Sequence, residues 1–229
     1  MSKPYYECDG VTIFHGDCRE LLLEMEPVDV IVTDPVWPNS SPALRGADRP
    51  AALFAEAAQH FPGRCQRVIV QLGCDSDPRF LLGVPASLPF FRVCWLEYVC
   101  PTRKGRLLYT GDVAYVFGIP PKSAPGRRVM SGRYISTRPD ASRVKLTAHK
   151  DWGCAANNGM HPTPRRYEHV AWIVGRWSDG TVLDPFAGSG TTLLASKRAG
   201  RRAIGIEIEE RFCEQAARRL DQYQLEMGA

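Results

Sequence analysis

Four acidic residues each follow a short apolar run that is typical of a buried β-strand. They are Asp17, Asp34, Asp184 and Glu207, and the runs before them span residues 11–15, 28–33, 181–183 and 202–206. Ligands of open α/β sheets bind beyond the carboxyl ends of the strands, where these acids would lie. The spacing therefore predicts a binding site at one edge of a sheet, built from residues that are far apart in the sequence.

A glycine-rich turn runs from Asp184 to Gly190, and Thr191 begins the helix that follows. Gly188 and Gly190 let the backbone turn tightly and approach a ligand closely, with N–H groups and the helix N-terminus facing it. The turn has neither the GxGxxG pattern nor the lysine of a phosphate-binding loop. We therefore expect it to bind a cofactor that carries a carboxylate rather than a polyphosphate. An ordinary strand-to-helix turn would contain the same glycines.

The acids and one aromatic residue also have purely structural interpretations. Asp34 could simply end a strand, and Trp37 could be a core aromatic residue. Asp17 precedes a predicted helix with Glu20 three residues later, so it could be an N-cap. Glu207 could be an acid favoured in the first turn of the next helix. These interpretations stay open as long as each residue is considered alone.

The elements that would position these residues alternate between strand and helix at both ends of the chain. Further strands are predicted at 67–72, 90–99 and 113–117, and helices at 18–25, 51–61, 167–174, 191–198 and 210–223. Residues 38–50 and 101–106 are typical of loops, and residues 120–150 show no convincing long period. The alternation predicts an α/β fold, with a mostly parallel sheet and helices on both faces.

The composition is that of a globular protein of 229 residues, with 44% apolar residues and a net charge of +4. No apolar run approaches the roughly 20 residues of a membrane helix, and the N-terminus lacks the apolar stretch of a secretory signal. The eight cysteines form no CxxC pair, and the five histidines are scattered. We therefore expect an intracellular, cytoplasmic protein that binds neither a membrane nor a metal ion.

Residues 101–150 contain eleven basic residues and only two acidic ones, a net charge of +9. The segment is also rich in Gly, Pro and Ser, a combination that suits a mobile phosphate-binding surface and favours nucleic acid as a partner. A solvated basic face is the alternative. The basic residues predicted to bind DNA are Arg103, Lys104, Arg106, Arg127, Arg128, Arg133 and Arg138.

Four motifs in a fixed order resemble those of DNA amino-methyltransferases, which methylate adenine N6 or cytosine N4. In chain order they are Gly16-Asp17, Asp34-Pro-Val-Trp37, His161-Pro-Thr163 and Asp184-Pro-Phe-Ala-Gly-Ser-Gly-Thr-Thr192, the last followed by Gly205-Ile-Glu-Ile208. The catalytic motif comes first and the cofactor turn last, which is the order of the circularly permuted beta group of this family. The resemblance covers residues 8–37 and 155–225 and is loose between them.

The resemblance implies a single Rossmann-like methyltransferase domain over residues 1–229, in which residues 101–150 are a small basic insertion that recognises double-stranded DNA. It implies S-adenosylmethionine as the cofactor, bound by Asp17, His161, Thr163, Asp184, Phe186, Ala187, Gly188, Ser189, Gly190, Thr191 and Glu207. It also implies a place in a bacterial or phage restriction–modification system, with a homodimer among the expected assemblies.

The same resemblance implies that Asp34, Pro35 and Trp37 are catalytic. An aromatic amine is a poor nucleophile because its lone pair is delocalised into the ring. Asp34 and the carbonyl of Pro35 would accept hydrogen bonds from the two amino hydrogens and aim the lone pair at the methyl group. Trp37 would stack on the base, which must first be flipped out of the duplex. Val36 stands where the family more commonly has a proline.

The predicted target is N6 of adenine, because an aspartate opens the catalytic motif of this family more often in adenine enzymes and a serine in cytosine-N4 enzymes. Cytosine-N4 methylation is the alternative, since the same hydrogen bonds serve either amine. A catalytically idle nucleic-acid-binding protein on the same scaffold is a third interpretation, against which the intact catalytic motif argues.

Overall fold

Strands and helices alternate at both ends of the computed structural model, which describes residues 3–38, 40–104, 106–122, 130–137 and 165–228. The strands in these residues are β1 (Tyr6–Cys8), β2 (Val11–His15), β3 (Val30–Thr33), β4 (Arg67–Gly73), β5 (Phe90–Lys104), β6 (Leu107–Gly118), β7 (Arg133–Ile135), β8 (Val182–Asp184) and β9 (Ala203–Glu207). The helices are α1 (Cys18–Glu24), α2 (Pro50–Ala58), α3 (Tyr167–Trp177), α4 (Thr191–Arg198) and α5 (Glu210–Gly228), with a short 3₁₀ helix at Pro78–Gly83.

Within the described residues the strands form one sheet in the order β1-β2-β9-β8-β3-β4-β6-β5-β7. The five neighbours β2, β9, β8, β3 and β4 run parallel to one another. β6 is antiparallel to β4, and β5 is antiparallel to β6. The carboxyl ends of the five parallel strands therefore lie along one edge of the sheet, which is called the carboxyl edge below.

The central strands are buried on both faces by helices. Successive side chains of a strand point to opposite faces, so β3 contributes to two separate cores. Ile31 packs in the core that contains Phe54 of α2, whereas Val30 and Val32 pack in the core that contains Ile173 of α3. This arrangement confirms the predicted α/β fold, with a mostly parallel sheet and helices on both faces.

The last helix is amphipathic and covers the outer part of the sheet. Phe212, Ala216 and Leu220, spaced by four residues, lie on one face of the helix and are buried. Ala216 and Leu220 share a core with Val11 of β2 and Ala203 of β9. No helix in the described part of the chain is long and apolar enough to cross a membrane.

The predicted loop at residues 101–106 is wrong. β5 continues to Lys104 and β6 begins at Leu107, and these two residues pair in the ladder, so that the strands form a long hairpin. Leu107 and Leu108 are largely exposed at its tip. A hairpin that projects into solvent has no buried face, so its sequence lacks the alternation that reveals a half-buried strand. β7 adds to the sheet parallel to β5, so this part of the basic insertion belongs to the sheet.

Candidate active site

The predicted acids lie side by side at the carboxyl edge. β2 pairs with β9 as far as Glu207, and Asp17 comes two residues after the end of β2. Asp184 is the last residue of β8, and Asp34 follows directly after β3. The hydroxyl of Thr33 donates a hydrogen bond of 3.0 Å to Asp184 and so joins the ends of these two strands. Four residues from distant parts of the sequence thus meet at one edge.

The two carboxylate oxygens of Asp34 differ in their hydrogen bonding. Its Oδ2 accepts a hydrogen bond of 2.7 Å from Nε of Arg165. Its Oδ1 is buried and has no hydrogen-bond partner among the described residues. Burial raises the pKa of Asp34 to about 7, because the lowering by Arg165 is outweighed by burial and by the nearby charges of Asp112 and Asp184. Oδ1 is therefore an acceptor left available for a group that enters the site.

One arginine joins Asp34 to a second buried carboxylate. Nη1 of Arg165 lies 3.0 Å from Oδ2 of Asp112, and the two side chains are only 11% and 4% exposed. The guanidinium carbon lies 3.5 Å from the centre of the Trp37 ring, a cation–π contact. Asp112 reaches this place because β6 is antiparallel to β4, which sets Asp112 opposite Gly73 at the carboxyl edge.

The ring of Trp37 lies against the end of β4. Gly73 permits this close approach, since a Cβ there would lie 2.9 Å from Trp37 and 2.6 Å from the hydroxyl of Tyr109. The backbone N–H of Trp37 donates a hydrogen bond of 2.7 Å to the hydroxyl of Ser40, which holds the loop after β3. Trp37 is therefore both a partly buried aromatic residue that packs on the core and a wall of the site beside Asp34.

The glycine turn between β8 and α4 has the tight backbone that its sequence predicts. Gly188 and Gly190 have φ of +51° and +78°, in the region that favours glycine. A Cβ at Gly190 would lie 2.7 Å from that of Ala216. Asp184 accepts the backbone N–H of Phe186 at 3.1 Å, and burial raises the pKa of Asp184 to about 6. The described contacts of Asp184 thus serve to hold the turn.

The other residues of the turn are held by α5 and β9. Nη1 of Arg219 donates to the carbonyl of Ser189 at 2.5 Å and lies 3.1 Å and 3.3 Å from the hydroxyls of Ser189 and Thr191. The N–H of Ala187 donates to the carbonyl of Ile206 at 2.9 Å. Burial lowers the pKa of Arg219 to about 10. These bonds shape the turn within the protein itself.

Glu207 closes the side of the turn that faces β9. Its Oε2 accepts the N–H of Gly188, and its Oε1 accepts the N–H of Glu209, both at 2.8 Å. The residue is 8% exposed, and burial raises its pKa to about 7. Because each carboxylate oxygen has two acceptor sites, Glu207 can hold the turn and still accept a hydrogen bond from a ligand.

Asp17 is the N-cap of α1. Its side chain accepts the backbone N–H of Arg19 at 2.9 Å and also pairs with the guanidinium of that residue. Arg19 in turn pairs with Glu56 of α2. The hydrogen bonds from Arg19 lower the pKa of Asp17. The capping interpretation is therefore confirmed, and a contact between Asp17 and a cofactor stays a prediction.

A cavity of about 700 Å³ opens beside the ends of β2 and β9. His15 and Ile208 line one side, and Pro42, Leu44 and Arg45 of the loop after β3 line another. This volume falls within the range of ordinary small-molecule sites. Ile208 directly follows Glu207, so the cavity adjoins the carboxyl edge at the glutamate.

Five predicted site residues lie outside the described part of the chain: His161, Thr163, Arg127, Arg128 and Arg138. Arg103 and Lys104 lie at the end of β5, where only their backbone is described. Arg106 is exposed at the tip of the hairpin. Arg133 in β7 is exposed and pairs with Glu97 at 2.6 Å. The structure therefore places Arg106 and Arg133 on the surface.

Two residues of the site were missed by the sequence analysis. Arg165 comes two residues after the His161-Pro-Thr163 motif, and Asp112 is one of only two acids in the basic segment. The sequence shows both of these positions, but neither position indicates a contact with Asp34. Arg165 reaches Asp34 across 131 residues of sequence, and Asp112 reaches the edge through the register of β6.

The arrangement suits the chemistry of an amine beside a small organic cofactor. Oδ1 of Asp34 and the backbone carbonyl of Pro35, the next residue, can each accept one hydrogen of an amino group. Asp184 joins this pair to the glycine turn through Thr33. Within the described ranges no three His, Cys, Asp or Glu side chains lie close enough to hold a metal ion.

Comparisons with known proteins find DNA methyltransferases. A family model described as DNA methylase matches residues 139–218. The type II methyltransferase M.ScaI of Streptomyces caespitosus is 52% identical over an alignment of 263 residues, which covers 96% of this chain and 84% of that protein.

Solved structures share the fold. The PvuII DNA methyltransferase, described as cytosine-N4-specific, superposes with a TM-score of 0.67 at 18% identity over 95% of this chain and 88% of that one. The crystal structure of an M1.HpyAVI–SAM complex superposes with a TM-score of 0.63 at 18% identity over 92% of this chain and 99% of that one. Both likenesses extend over nearly the whole chain.

Proposed function

Since the chain belongs to the N6/N4 family of type II DNA methyltransferases, we propose that it transfers a methyl group from S-adenosylmethionine to an exocyclic amino group of a base in double-stranded DNA. The first target that we propose is N6 of adenine. The main observation behind this proposal is that Oδ1 of Asp34 is buried and has no hydrogen-bond partner among the described residues. Asp34 is followed by Pro35, whose carbonyl is a second acceptor. It is preceded by Thr33, whose hydroxyl bonds to Asp184 at the start of the glycine turn.

The acceptor pair would activate the amine. Hydrogen bonds from its two hydrogens to Asp34 and to the Pro35 carbonyl hold the nitrogen lone pair out of conjugation with the ring. Donors and acceptors fixed in this way need no reorganisation at the moment of reaction. As the new C–N bond forms and the C–S bond breaks, positive charge develops on the nitrogen, which the carboxylate of Asp34 stabilises. The nitrogen then loses one proton, and Asp34, with a pKa of about 7, is placed to accept it.

The base would pack against the stack of Trp37 and Arg165. The guanidinium carbon of Arg165 already lies 3.5 Å from the centre of the Trp37 ring, and unpaired bases stack on both aromatic rings and guanidinium planes. A base inside a duplex cannot reach a recessed acceptor of this kind, so it would be flipped out of the helix. In this position the ring edge with the amino group would face Asp34.

The glycine turn and Glu207 would hold the cofactor, which supplies an electrophilic methyl group on a positively charged sulfur. Gly188 and Gly190 give the backbone the positive φ values that form the turn, and α4 begins at Thr191 without a side-chain cap, so its first N–H groups would face the carboxylate of the cofactor. Glu207 would accept hydrogen bonds from ribose hydroxyls, and Asp17 from the adenine amine. The adjoining cavity of about 700 Å³ is large enough for a nucleoside.

Cytosine N4 is the second candidate target. Its amino group presents the same two hydrogens to Asp34 and Pro35, and the fold is shared with a methyltransferase described as cytosine-N4-specific. The aspartate that opens the catalytic motif favours adenine. We propose that residues 101–150 contribute to DNA binding, with Arg106 at the hairpin tip and Arg133 in β7 as exposed, described members of that surface.

The test is transfer of tritium from methyl-labelled S-adenosylmethionine to duplex DNA of mixed sequence, followed by nucleoside analysis of the product. We expect label in N6-methyladenine, and label in N4-methylcytosine would establish the second candidate instead. Asp34→Ala should lower the rate by about 100-fold or more while cofactor binding persists. Asp77→Ala is the matched control and should transfer methyl groups as the wild type does, because this exposed aspartate caps the 3₁₀ helix and pairs with Arg79. Absence of transfer to any DNA by a protein that binds the cofactor would refute the proposal.

A further inference from the structure

We propose that Arg165 is a positioning residue, which orients the carboxylate of Asp34 and keeps it ionised for the reaction. The inference rests on the proposed function, because it assigns a role toward the proposed acceptor of the amine. Its basis is geometric: one buried guanidinium bridges two buried carboxylates and stacks on the neighbouring aromatic ring.

The orientation follows from which oxygen is used. Nε of Arg165 donates a hydrogen bond of 2.7 Å to Oδ2 of Asp34, and the guanidinium is also held by its contact with the Trp37 ring. Oδ1 is thereby left as the open acceptor. A carboxylate without this bond could rotate, and either oxygen could turn away from the amine. Positioning within a fraction of an ångström matters for a hydrogen bond that must strengthen in the transition state.

The anchor of Arg165 is Asp112. Its carboxylate is 4% exposed and also accepts a hydrogen bond of 2.6 Å from the hydroxyl of Tyr98. Removal of one partner from a buried ion pair leaves an uncompensated charge, which is strongly destabilising. Arg165 is therefore held in place from the side opposite Asp34, by a residue that does not itself contact the proposed amine acceptor.

The charge balance around Asp34 gives the inference a measurable consequence. The charged groups that act on Asp34 are Arg165 before α3, Asp112 of β6 and Asp184 of β8, and of these only Arg165 favours the ionised form. An opposite charge at this distance typically lowers the pKa of a carboxyl group by about one to three units. Without Arg165, Asp34 would be largely protonated at neutral pH and would bind the amine as a weaker acceptor.

The experiment is the pH dependence of kcat/KM for methyl transfer to DNA, which reports groups of the free enzyme. For the wild type we expect activity to fall as the pH drops through about 7. Arg165→Gln should move this acidic limb upward by about one unit or more, whereas Arg165→Lys, which keeps the charge, should move it less. Arg79→Gln is the control, since this exposed arginine pairs with Asp77 outside the site, and its limb should coincide with that of the wild type.

Asp112→Asn provides a shift in the opposite direction. The negative charge of Asp112 raises the pKa of Asp34, so a neutral amide in its place should move the acidic limb to lower pH. The amide oxygen can still accept a hydrogen bond from Arg165. Opposite shifts in two variants cannot arise from general damage to the fold. They also keep the test valid if Arg165→Gln does not fold, because Arg165→Lys and Asp112→Asn remain.

An Arg165→Gln enzyme whose limb stays at the wild-type pH, with only a lower rate, would overturn the inference and leave Arg165 a structural role. If the wild type transfers no methyl group, the proposed function fails, but the inference can still be tested. Carbon-13 NMR of labelled aspartate would then follow the titration of Asp34 directly, and an unchanged midpoint in Arg165→Gln would refute the positioning role.

Discussion

The carboxylate of Glu207, at the end of β9, accepts a hydrogen bond of 2.8 Å from the backbone N–H of Gly188 in the turn after β8. The turn is thus tied to the residue that we propose to bind the cofactor ribose. Any change in the charge of Glu207 should therefore affect both the shape of the turn and the affinity for the cofactor.

Cofactor binding should strengthen as the pH rises through about 7. Burial raises the pKa of Glu207 to about 7, and the ionised form is the better acceptor for ribose hydroxyls. If only that form binds, the ionised fraction changes by about tenfold between pH 6 and pH 8, and the apparent Kd should fall by the same factor. Isothermal titration calorimetry with S-adenosylmethionine at the two pH values measures this change.

Glu207→Gln is the variant that assigns this pH dependence. The amide cannot ionise, so its cofactor affinity should be weaker at pH 8 and nearly independent of pH. Glu214→Gln in α5 is the control, because this exposed glutamate pairs with Arg218 and is not among the proposed cofactor contacts. A pH dependence that survives unchanged in Glu207→Gln would show that another group is responsible.

Gly190→Ala should destabilise the protein more than Gly200→Ala. Both glycines have positive φ, +78° and +66°, so each alanine costs about 1–2 kcal/mol in backbone strain. At Gly190 the new Cβ would also lie 2.7 Å from that of Ala216, whereas at Gly200 it meets nothing within 4 Å. Overpacking of this kind adds about 1–3 kcal/mol. Urea unfolding measures the difference, and equal losses of stability would contradict the role of the contact with α5.

The edge of the sheet could be predicted from the sequence because its signals are local. The runs before Asp34 and Asp184 are strand-like on their own, and the glycine turn is recognisable by its residues. The positions of these motifs along a parallel sheet then follow from the general rule for ligands at carboxyl ends.

The contact between Arg165 and Asp112 could not be predicted in this way. Asp112 faces the site only because β6 runs antiparallel to β4 with Asp112 opposite Gly73, and the register of strands far apart in sequence is fixed by packing of the whole sheet. The hairpin that carries Asp112 was itself mistaken for a loop at its tip. The sequence therefore shows that Asp112 is an acid within a basic segment, but it does not show where in the fold its side chain lies.

Thr33→Val should destabilise the protein more at high pH than at low pH. The hydroxyl of Thr33 donates to the carboxylate of Asp184 and so lowers the pKa of a group that burial has raised to about 6. The variant raises this pKa further, and stability is lost as the pH rises through it, since the ionised form loses its partner. We expect a loss of about 1–3 kcal/mol at pH 8 and a smaller one at pH 5.

The measurement for Thr33→Val is urea unfolding at both pH values, with Thr12→Val in β2 as the control. Thr12 is half-buried in a strand of the same sheet, so it tests the effect of a Thr-to-Val change without the buried carboxylate. A loss of stability in Thr33→Val that is the same at pH 5 and pH 8 would exclude the coupling to Asp184.

DNA binding should depend on Arg106 more than on Arg133. Arg106 is exposed at the hairpin tip, whereas Arg133 is paired with Glu97 at 2.6 Å, so part of its charge is already neutralised. Each phosphate contact contributes about 0.9 to the slope of log K against log salt. Arg106→Ala should therefore weaken binding to duplexes of any sequence and reduce this slope by about one, while Arg133→Ala should change it by less. Fluorescence anisotropy over a salt series measures both, with Arg79→Ala, an exposed arginine paired with Asp77, as the control. If Arg106→Ala and Arg79→Ala give the same slope as the wild type, the hairpin tip does not contact phosphate, and the DNA-binding surface must be sought elsewhere.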